Sequence, residues 1–195
     1  MSEPVFNILI VCTGNICRSP IAEQLLRERL HEAVPDGHFR VRSAGTQALV
    51  DRGMTPEALD QSQRFGGAQT NHLARQLTSE LIDQADLVLT ATRRHRGDVV
   101  TLLPRANRYS YTLTQLARLL TPVAEFAEAP RVTLQTFLTE IAASQGQFPP
   151  PPNPSDDDIE DPYRQPLEVY GRVGAAIDNA TRTIATALAR TSGQT

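Results

Sequence analysis

The stretch ILIVCTGNICRSPIAEQLL, residues 8–26, decides the fold of this chain. It opens with four apolar residues, three of them β-branched, and such a run is typical of a buried strand in a parallel sheet. We predict this strand at Val5–Val11, directly before Cys12. From Pro20 the pattern becomes helical, because proline suits the first turn of a helix and the apolar residues that follow share one face. Those apolar residues are Ile21, Leu25, Leu26 and Leu30.

The loop between this strand and this helix is predicted to bind an anion. It leaves the carboxyl end of a strand and enters a helix N-terminus, which is where ligands bind in open α/β sheets. Successive backbone N–H groups in such a loop form a nest for a phosphate-like oxyanion, and Gly14 and Asn15 tolerate the positive φ of a tight curve. The partial positive charge of these N–H groups and of the helix N-terminus also stabilises a thiolate at Cys12. Arg18 can bind two oxygens of the anion.

The rest of the chain alternates strands with helices. Further strands are predicted at Phe39–Ser43, Ala85–Thr90 and Tyr109–Thr112. Helices are predicted from Thr55, within Leu73–Ile82, and at Arg93–Leu103, Leu113–Leu120 and Pro166–Arg190. Strands and helices at these spacings form right-handed βαβ units. The 195 residues therefore predict a single α/β domain, with an open parallel sheet of about four strands and helices on both faces.

Residues 121–158 interrupt this alternation and are predicted to be an insertion. A helical piece at Thr133–Ala143 precedes the segment GQFPPPPNPSDDD, residues 146–158. The proline run favours an extended polyproline II conformation, and the three aspartates indicate a highly solvated end. The pattern is compatible with a surface insertion without chemistry and with a lid or partner-docking arm beside the functional site.

Composition and charge exclude several function classes. The net charge of −3 argues against a protein that binds nucleic acid through a basic face. The chain contains no lysine, so any cation that contacts a bound anion comes from arginine or histidine. The N-terminal apolar run is too short for a signal peptide or a membrane span, and we expect a cytoplasmic protein without membrane association. The four histidines show no metal-ligand spacing, and we expect neither metal nor cofactor.

The segment Cys12-Thr-Gly-Asn-Ile-Cys-Arg-Ser-Pro20 resembles the phosphate-binding loop of the low-molecular-weight protein tyrosine phosphatase family, which also includes arsenate reductases. The resemblance continues, in the family's order, through Ser43-Ala-Gly-Thr46, His72-Leu-Ala-Arg-Gln76, Ala85–Thr90 and Asp161-Pro-Tyr163. It implies the family's α/β fold and a catalytic cysteine.

The resemblance also implies roles for individual residues. Cys12 would be the nucleophile, Arg18 the phosphate clamp and Ser19 the donor that steadies the thiolate. Leu49 and Tyr163 correspond to positions at the rim of the family's substrate cleft. The phosphate would be bound by the loop residues Thr13, Gly14, Asn15, Ile16, Cys17 and Arg18. Support of the loop by hydrogen bonds would come from Asn15, Ser19, Ser43 and His72.

A phosphate ester also requires an acid that protonates the leaving oxygen. Asp156, Asp157, Asp158 and Asp161 lie close together in sequence, and composition leaves the choice among them open. The resemblance selects Asp161, which precedes Pro162, as the general acid. It further suggests that Cys12 and Cys17 form a reversible disulfide that protects the nucleophile from further oxidation.

Three functions fit these residues. The first is a cysteine-dependent phosphatase that acts on phosphate monoesters, above all phosphotyrosine in proteins, through a phosphocysteine intermediate. The second is an arsenate reductase, which needs only Cys12 if an external thiol such as mycothiol completes the reduction. The third is a non-catalytic module that binds phosphate or arsenate-type oxyanions. The joint presence of Cys12, Arg18 and Asp161 favours the first, with a phosphorylated protein or a small phosphate ester as partner, while the oligomeric state is not indicated.

Overall fold

Four parallel strands form the sheet that the sequence predicts. The computed structural model describes residues 5–35, 39–68, 71–125, 134–144 and 151–190. The strands are β1 (Phe6–Cys12), β2 (Phe39–Gly45), β3 (Leu87–Thr90) and β4 (Ser110–Thr112). Their order is β2-β1-β3-β4, and each neighbouring pair is parallel. The carboxyl end of β1 therefore lies between the ends of β2 and β3, where the strand order reverses and a cleft opens in sheets of this type.

The helices in the described part of the chain follow the predicted alternation. They are α1 (Arg18–Ala33), α2 (Pro56–Arg64), α3 (Ser79–Asp83), α4 (Arg93–Leu102), α5 (Leu113–Glu125), α6 (Leu134–Ser144) and α7 (Leu167–Ala189), with 3₁₀ helices at Pro104–Arg108 and Pro154–Asp157. Threonine side chains cap three of them: Thr55 before α2, Thr78 before α3 and Thr92 before α4. Among these helices none is long and apolar enough to cross a membrane.

The two faces of β1 pack into two separate clusters of apolar side chains. Ile8 and Ile10 belong to the larger cluster, which includes buried residues of α1, α2, α5 and α7. Leu9 and Val11 belong to the smaller cluster, which α3 and α4 cover. Each fully buried side chain of this size contributes about 1.5–3 kcal/mol through the hydrophobic effect. The prediction of an α/β fold with helices on both faces of a parallel sheet is thus confirmed.

Some polar side chains of helix α1 contact the protein, whereas an amphipathic helix is expected to expose them to water. Glu23 is buried, and Arg29 forms an ion pair with the buried Asp178 of α7. Burial lowers the pKa of Arg29, and the carboxylate of Asp178 partly opposes this shift. The reason for the difference is tertiary: α7 packs along α1, so polar side chains of α1 receive partners from the protein rather than from water.

The predicted insertion carries a helix that contacts the core. Helix α6 confirms the predicted helical piece at Thr133–Ala143, and its residue Ile141 is buried in the larger apolar cluster. The proline run falls partly on residues 145–150, which lie outside the described residues, as do residues 126–133. Helix α6 therefore contacts the apolar core through Ile141, and the insertion itself stays a prediction.

We predict that Gly45→Ala destabilises the fold by about 1–3 kcal/mol, a typical cost of overpacking. A Cβ atom at Gly45 would collide with the carbonyl oxygen of Thr13 and lie 3.1 Å from Ala48 Cα. The matched control is Gly53→Ala, whose Cβ would approach His72 O only to 3.8 Å. Urea unfolding measures the free energy of both variants. Equal stability of Gly45→Ala and the wild type would show that β2 and the loop after β1 are not packed this closely.

Candidate active site

The loop between β1 and α1 turns its carbonyl groups outward. The carbonyl oxygens of residues 12–14 accept hydrogen bonds of 2.9–3.0 Å from backbone N–H groups within residues 46–49. The carbonyl oxygen of Asn15 accepts a hydrogen bond of 2.7 Å from Nε2 of His72. Because these carbonyl groups are engaged outside the loop, its N–H groups are left for the concave side, which is the arrangement of an anion nest.

Asn15 holds this curvature with its backbone and its side chain. Its φ is 57°, in the left-handed region that asparagine tolerates better than most residues. Its side chain is fully buried and donates from Nδ2 to Ser19 Oγ at 2.9 Å and to Ser43 Oγ at 2.8 Å. Its Oδ1 accepts a hydrogen bond of 3.0 Å from the backbone N–H of Arg75. The predicted supporting residues Asn15, Ser19 and Ser43 are therefore in direct contact.

The sulfur of Cys12 lies against this network at the end of β1. Its Sγ is 2.9 Å from Ser19 Oγ, and the residue is 2% exposed. Since Ser19 Oγ already accepts a hydrogen bond from Asn15 Nδ2, its own hydroxyl group can donate a hydrogen bond to the sulfur.

A buried carboxylate, which the sequence analysis did not single out, closes the network behind the loop. Glu23 of α1 accepts a hydrogen bond from Ser43 Oγ and pairs with Arg27. Its Oε2 lies 3.9 Å from Nδ1 of His72, whose Nε2 carries a proton because its partner is a carbonyl oxygen. No periodicity in the sequence separates Glu23 from the exposed charges of the same helix.

Arg18 joins the loop to the segment that carries Asp161. Its guanidinium donates from Nη1 to the carbonyl oxygen of Ile159 at 3.1 Å and from Nη2 to Asp161 Oδ2 at 2.6 Å. The side chain is buried, and within the described residues its Nε has no hydrogen-bond partner. A buried donor without a partner is costly, so an oxyanion bound in the loop is a suitable acceptor for it.

The segment before Asp161 is attached to α4 and α5 by paired aspartates, and the prediction of a solvated end is wrong for the buried Asp157. Asp157 is buried and pairs with Arg118 of α5 at 3.0 Å. Asp158 accepts a hydrogen bond of 2.7 Å from the backbone N–H of Arg93 and pairs with its guanidinium at 2.8 Å. Partners distant in sequence override the polar composition of the segment.

The remaining aspartates of this segment differ in their surroundings. Asp156 is exposed, as expected. The backbone N–H of Ile159 donates to the carbonyl oxygen of Ala91 at 2.8 Å, which continues the attachment toward Asp161. The Asp161 side chain itself is 52% exposed at the mouth of the loop. Of the four candidate aspartates, Asp161 is therefore the one that lies at the cavity of Cys12.

A cavity of about 160 Å³ opens above the sulfur of Cys12. The predicted rim residues Leu49 and Tyr163 are 43% and 39% exposed at this cavity. The guanidinium of Arg164 lies 5.1 Å from the centre of the Tyr163 ring. The cavity brings together most of the predicted site. Its lining residues are Cys12, Thr13, Gly14, Ile16, Cys17, Arg18, Gln47, Leu49, Asp161 and Tyr163.

Cys17 is a buried thiol on the inner side of the same loop. Its Sγ lies 3.7 Å from Thr55 Oγ1 and 3.9 Å from the hydroxyl of Tyr170. Burial raises the pKa of the Cys17 thiol to about 11, although both hydroxyl groups favour the thiolate. Cys12 and Cys17 are both free thiols, and their predicted disulfide stays a prediction.

A second cavity, which the sequence analysis missed, lies on the other side of Arg18 and Asp161. Its volume is about 260 Å³, and it is bordered by the N-terminal turn of α4. The buried His95 of this turn contacts Thr13 of the loop. The sequence signal that indicates this turn is Thr92, a helix cap three residues before His95.

Comparison with known proteins identifies relatives of the first part of the chain. The family model described as "Low molecular weight phosphotyrosine protein phosphatase" matches residues 7–122. The low molecular weight protein-tyrosine-phosphatase Etp of Escherichia coli K12 is 40% identical over 105 residues, which are 53% of this chain and 67% of Etp. The phosphatase Wzb of Salmonella typhi is 41% identical over 101 residues, which are 51% of this chain and 64% of Wzb. The chain thus spans about two thirds of the length of these relatives.

Solved structures resemble nearly the whole chain. The YwlE arginine phosphatase from Geobacillus stearothermophilus has a TM-score of 0.67 and 27% identity, and the match covers 94% of this chain and 92% of that chain. The tyrosine phosphatase Wzb from Escherichia coli K30, in complex with sulphate, has a TM-score of 0.65 and 25% identity over 94% of this chain and 99% of that chain. These matches cover a larger share of the chain than residues 7–122 do.

We predict that Asp158→Asn lowers the free energy of unfolding by about 1 kcal/mol at neutral pH, as the loss of a helix-capping carboxylate does. Burial alone would raise the pKa of Asp158, but the hydrogen bonds from Arg93 outweigh it and the pKa falls below its ordinary 3.8. A lowered pKa contributes stability at neutral pH that disappears as the pH falls through it. The stability difference should therefore be complete above about pH 4 and decrease as the pH falls below that value.

Chemical unfolding at several pH values measures this difference, and the exposed Asp156→Asn is the matched control. We expect the control to have wild-type stability throughout. A difference between Asp158→Asn and the wild type that persists unchanged at low pH would contradict the proposed ion pair.

Proposed function

Because the chain belongs to the low molecular weight phosphotyrosine protein phosphatase family, we propose that it is a cysteine-dependent phosphatase that hydrolyses phosphate monoesters, with phosphotyrosine in proteins as its substrate. The observation that carries this proposal is the position of the Cys12 sulfur, 2.9 Å from Ser19 Oγ, beneath a cavity that Arg18 and Asp161 border. Nucleophile, anion clamp and carboxyl group thus share one site.

In the first step the Cys12 thiolate attacks the phosphorus atom of the ester. The S–P bond forms while the bond between phosphorus and the leaving oxygen breaks, and Asp161 gives its proton to that oxygen. The N–H groups of the loop and the guanidinium of Arg18 stabilise the charge of the equatorial oxygens. The products of this step are the alcohol or phenol and a phosphocysteine.

The ion pair between Arg18 and Asp161 suits this step. Arg18 Nη2 donates to Asp161 Oδ2 at 2.6 Å, and a phosphate in the loop offers oxygens that compete for the same guanidinium. Binding of the substrate therefore frees the Asp161 carboxylate from Arg18, and after it takes up a proton from water the carboxylic acid can turn toward the leaving oxygen. Because Asp161 is half exposed, its side chain can turn between these positions.

In the second step a water molecule attacks the phosphocysteine. The Asp161 carboxylate, which lost its proton in the first step, now accepts a proton from this water. The bond between the new oxygen and phosphorus forms, the S–P bond breaks, and Cys12 leaves as a thiolate. Ser19 stabilises that thiolate through its hydroxyl group, and inorganic phosphate is released.

The lining of the cavity supports an aryl ester as the substrate. Ile16, Leu49 and Tyr163 border the cavity above Cys12, and an aromatic ring can pack against them. One structural relative is named an arginine phosphatase, so a phosphoarginine peptide is the informative competitor. We expect a higher kcat/KM for the phosphotyrosine peptide.

The comparisons do not favour arsenate reductase, because the relatives described above are named as phosphatases. An arsenate assay with external thiols, mycothiol included, tests this alternative directly. A single domain, cytoplasmic residence and a protective Cys12–Cys17 disulfide stay predictions from the sequence.

We predict that Asp161→Ala lowers kcat/KM, which reports the step in which the leaving group departs, by about 10²–10⁴-fold, as loss of a general acid does. The loss should be larger for phenyl phosphate than for p-nitrophenyl phosphate, because a poorer leaving group depends more on protonation. Steady-state kinetics with both esters measure the effect, and Asp156→Ala on the same segment is the control.

Cys12→Ser should abolish hydrolysis of both esters and still bind inorganic phosphate, because the loop and Arg18 remain. Hydrolysis at the wild-type rate in Cys12→Ser would eliminate the proposed mechanism. An equal loss for both esters in Asp161→Ala would remove Asp161 from the role of acid.

A further inference from the structure

The buried imidazole of His95 bridges the phosphate-binding loop and the first turn of α4. Its Nε2 lies 2.8 Å from Thr13 Oγ1, and its Nδ1 lies 2.8 Å from Thr92 Oγ1. The residue is only 5% exposed, although it borders the second cavity. Both ring nitrogens are therefore used inside the protein, which fixes the orientation of the ring.

The hydroxyl group of Thr13 contacts both the imidazole of His95 and the guanidinium of Arg18. Nη2 of Arg18, the same nitrogen that pairs with Asp161, also donates to Thr13 Oγ1, at 3.4 Å. This donation keeps the guanidinium in place when Asp161 turns away. A continuous set of contacts thus connects Arg18, Thr13, His95 and Thr92.

We propose that His95 is a positioning residue that, through Thr13, holds the Arg18 guanidinium in the orientation that binds phosphate. This inference deepens the proposed function and rests on it, since Arg18 is the phosphate clamp of that mechanism. His95 makes no contact with the reacting atoms in this account. Its effect on catalysis passes through the hydroxyl of Thr13.

The charge state of His95 agrees with this role. Burial, followed by the positive charge of Arg18, lowers the pKa of His95 to about 4. Arg94 acts in the same direction, while Asp98 and Asp161 oppose the shift. Besides these groups, Asp158 interacts electrostatically with the imidazole. The ring is therefore neutral at neutral pH and adds no second cation beside Arg18.

A neutral imidazole has one donor and one acceptor nitrogen, and one direction of donation suits the surroundings. Arg18 Nη2 donates a hydrogen bond to Thr13 Oγ1, and the hydroxyl group of Thr13 donates one to Nε2 of His95. Nδ1 of His95 then donates to Thr92 Oγ1. The reverse direction would leave the hydroxyl proton of Thr13 close to the Arg18 cation. We therefore assign the ring proton of His95 to Nδ1.

Binding of inorganic phosphate to the full-length chain, measured by calorimetry, tests the proposal without turnover. We expect Thr13→Val and His95→Leu each to weaken phosphate binding by about 3–10-fold, the size of one hydrogen bond that acts through a neighbour. Thr13→Ser, which keeps the hydroxyl group, should bind within about twofold of the wild type. His95→Gln, whose amide reaches as far as Nε2, should bind more tightly than His95→Leu.

The double variant distinguishes a relay from two separate effects. If His95 acts through Thr13, the variant that carries both Thr13→Val and His95→Leu binds phosphate no more weakly than the weaker single variant. Thr101→Val is the matched control, because this exposed residue lies on α4 and its hydroxyl donates only to Gly97 O. Wild-type affinity in Thr13→Val, or losses that multiply in the double variant, would overturn the proposal.

Two further measurements separate this proposal from a structural role and from the proposed function. Nitrogen-15 NMR of the His95 ring should show a proton on Nδ1, and a proton on Nε2 would contradict the assigned direction. A wild-type chain that binds phosphate with the expected pattern but hydrolyses no ester would refute the phosphatase and leave the positioning role intact. Thr13→Val changes a partly exposed loop residue, so it remains an informative variant even if His95→Leu does not fold.

Discussion

At Asn15 the backbone adopts a φ of 57°, and the buried side chain joins the loop to α1 through Ser19 and to β2 through Ser43. This left-handed residue allows the carbonyl groups before it to turn outward and bond with the segment after β2. The cost of such a conformation is of order 1–3 kcal/mol and is borne only where the surroundings fix it. The outward engagement of the carbonyl groups of residues 12–14 depends on this turn.

Arg18 connects the buried part of the site with the exposed side chain of Asp161. One side of its guanidinium is held by Thr13 and Ile159, whereas the other side meets the half-exposed Asp161. The loop comes from the centre of the sheet, and the Asp161 segment comes from the far end of the chain. In the proposed mechanism, the guanidinium of Arg18 therefore contacts both the bound phosphate and the carboxyl group of Asp161.

The fold and the loop could be predicted from the sequence because their signals are local. A β-branched run, a loop with Gly14 and Asn15, and a proline in the first turn of a helix lie within 19 consecutive residues, 8–26. The partners of Asp157 and Asp158 could not be predicted, because Arg118 and Arg93 lie 39 and 65 residues away in sequence.

The same limit applies to the polar groups behind the loop. Glu23 resembles any surface glutamate of an amphipathic helix until Ser43 and His72 are placed beside it. His95 belongs to no recognisable motif in the sequence, and only the fold brings its ring to Thr13. Contacts of this kind depend on which elements pack together, and no spacing within one segment reports them.

In the proposed mechanism the sulfur of Cys12 becomes covalently phosphorylated during turnover. Mass spectrometry of chains denatured rapidly during hydrolysis of p-nitrophenyl phosphate tests it, ideally in Asp161→Ala, where the intermediate is removed more slowly. We expect one phosphate per chain, bound to Cys12. This phosphate should also be found in Cys17→Ser and should be absent in Cys12→Ser. Phosphate found on another residue, or hydrolysis by Cys12→Ser, would contradict the account.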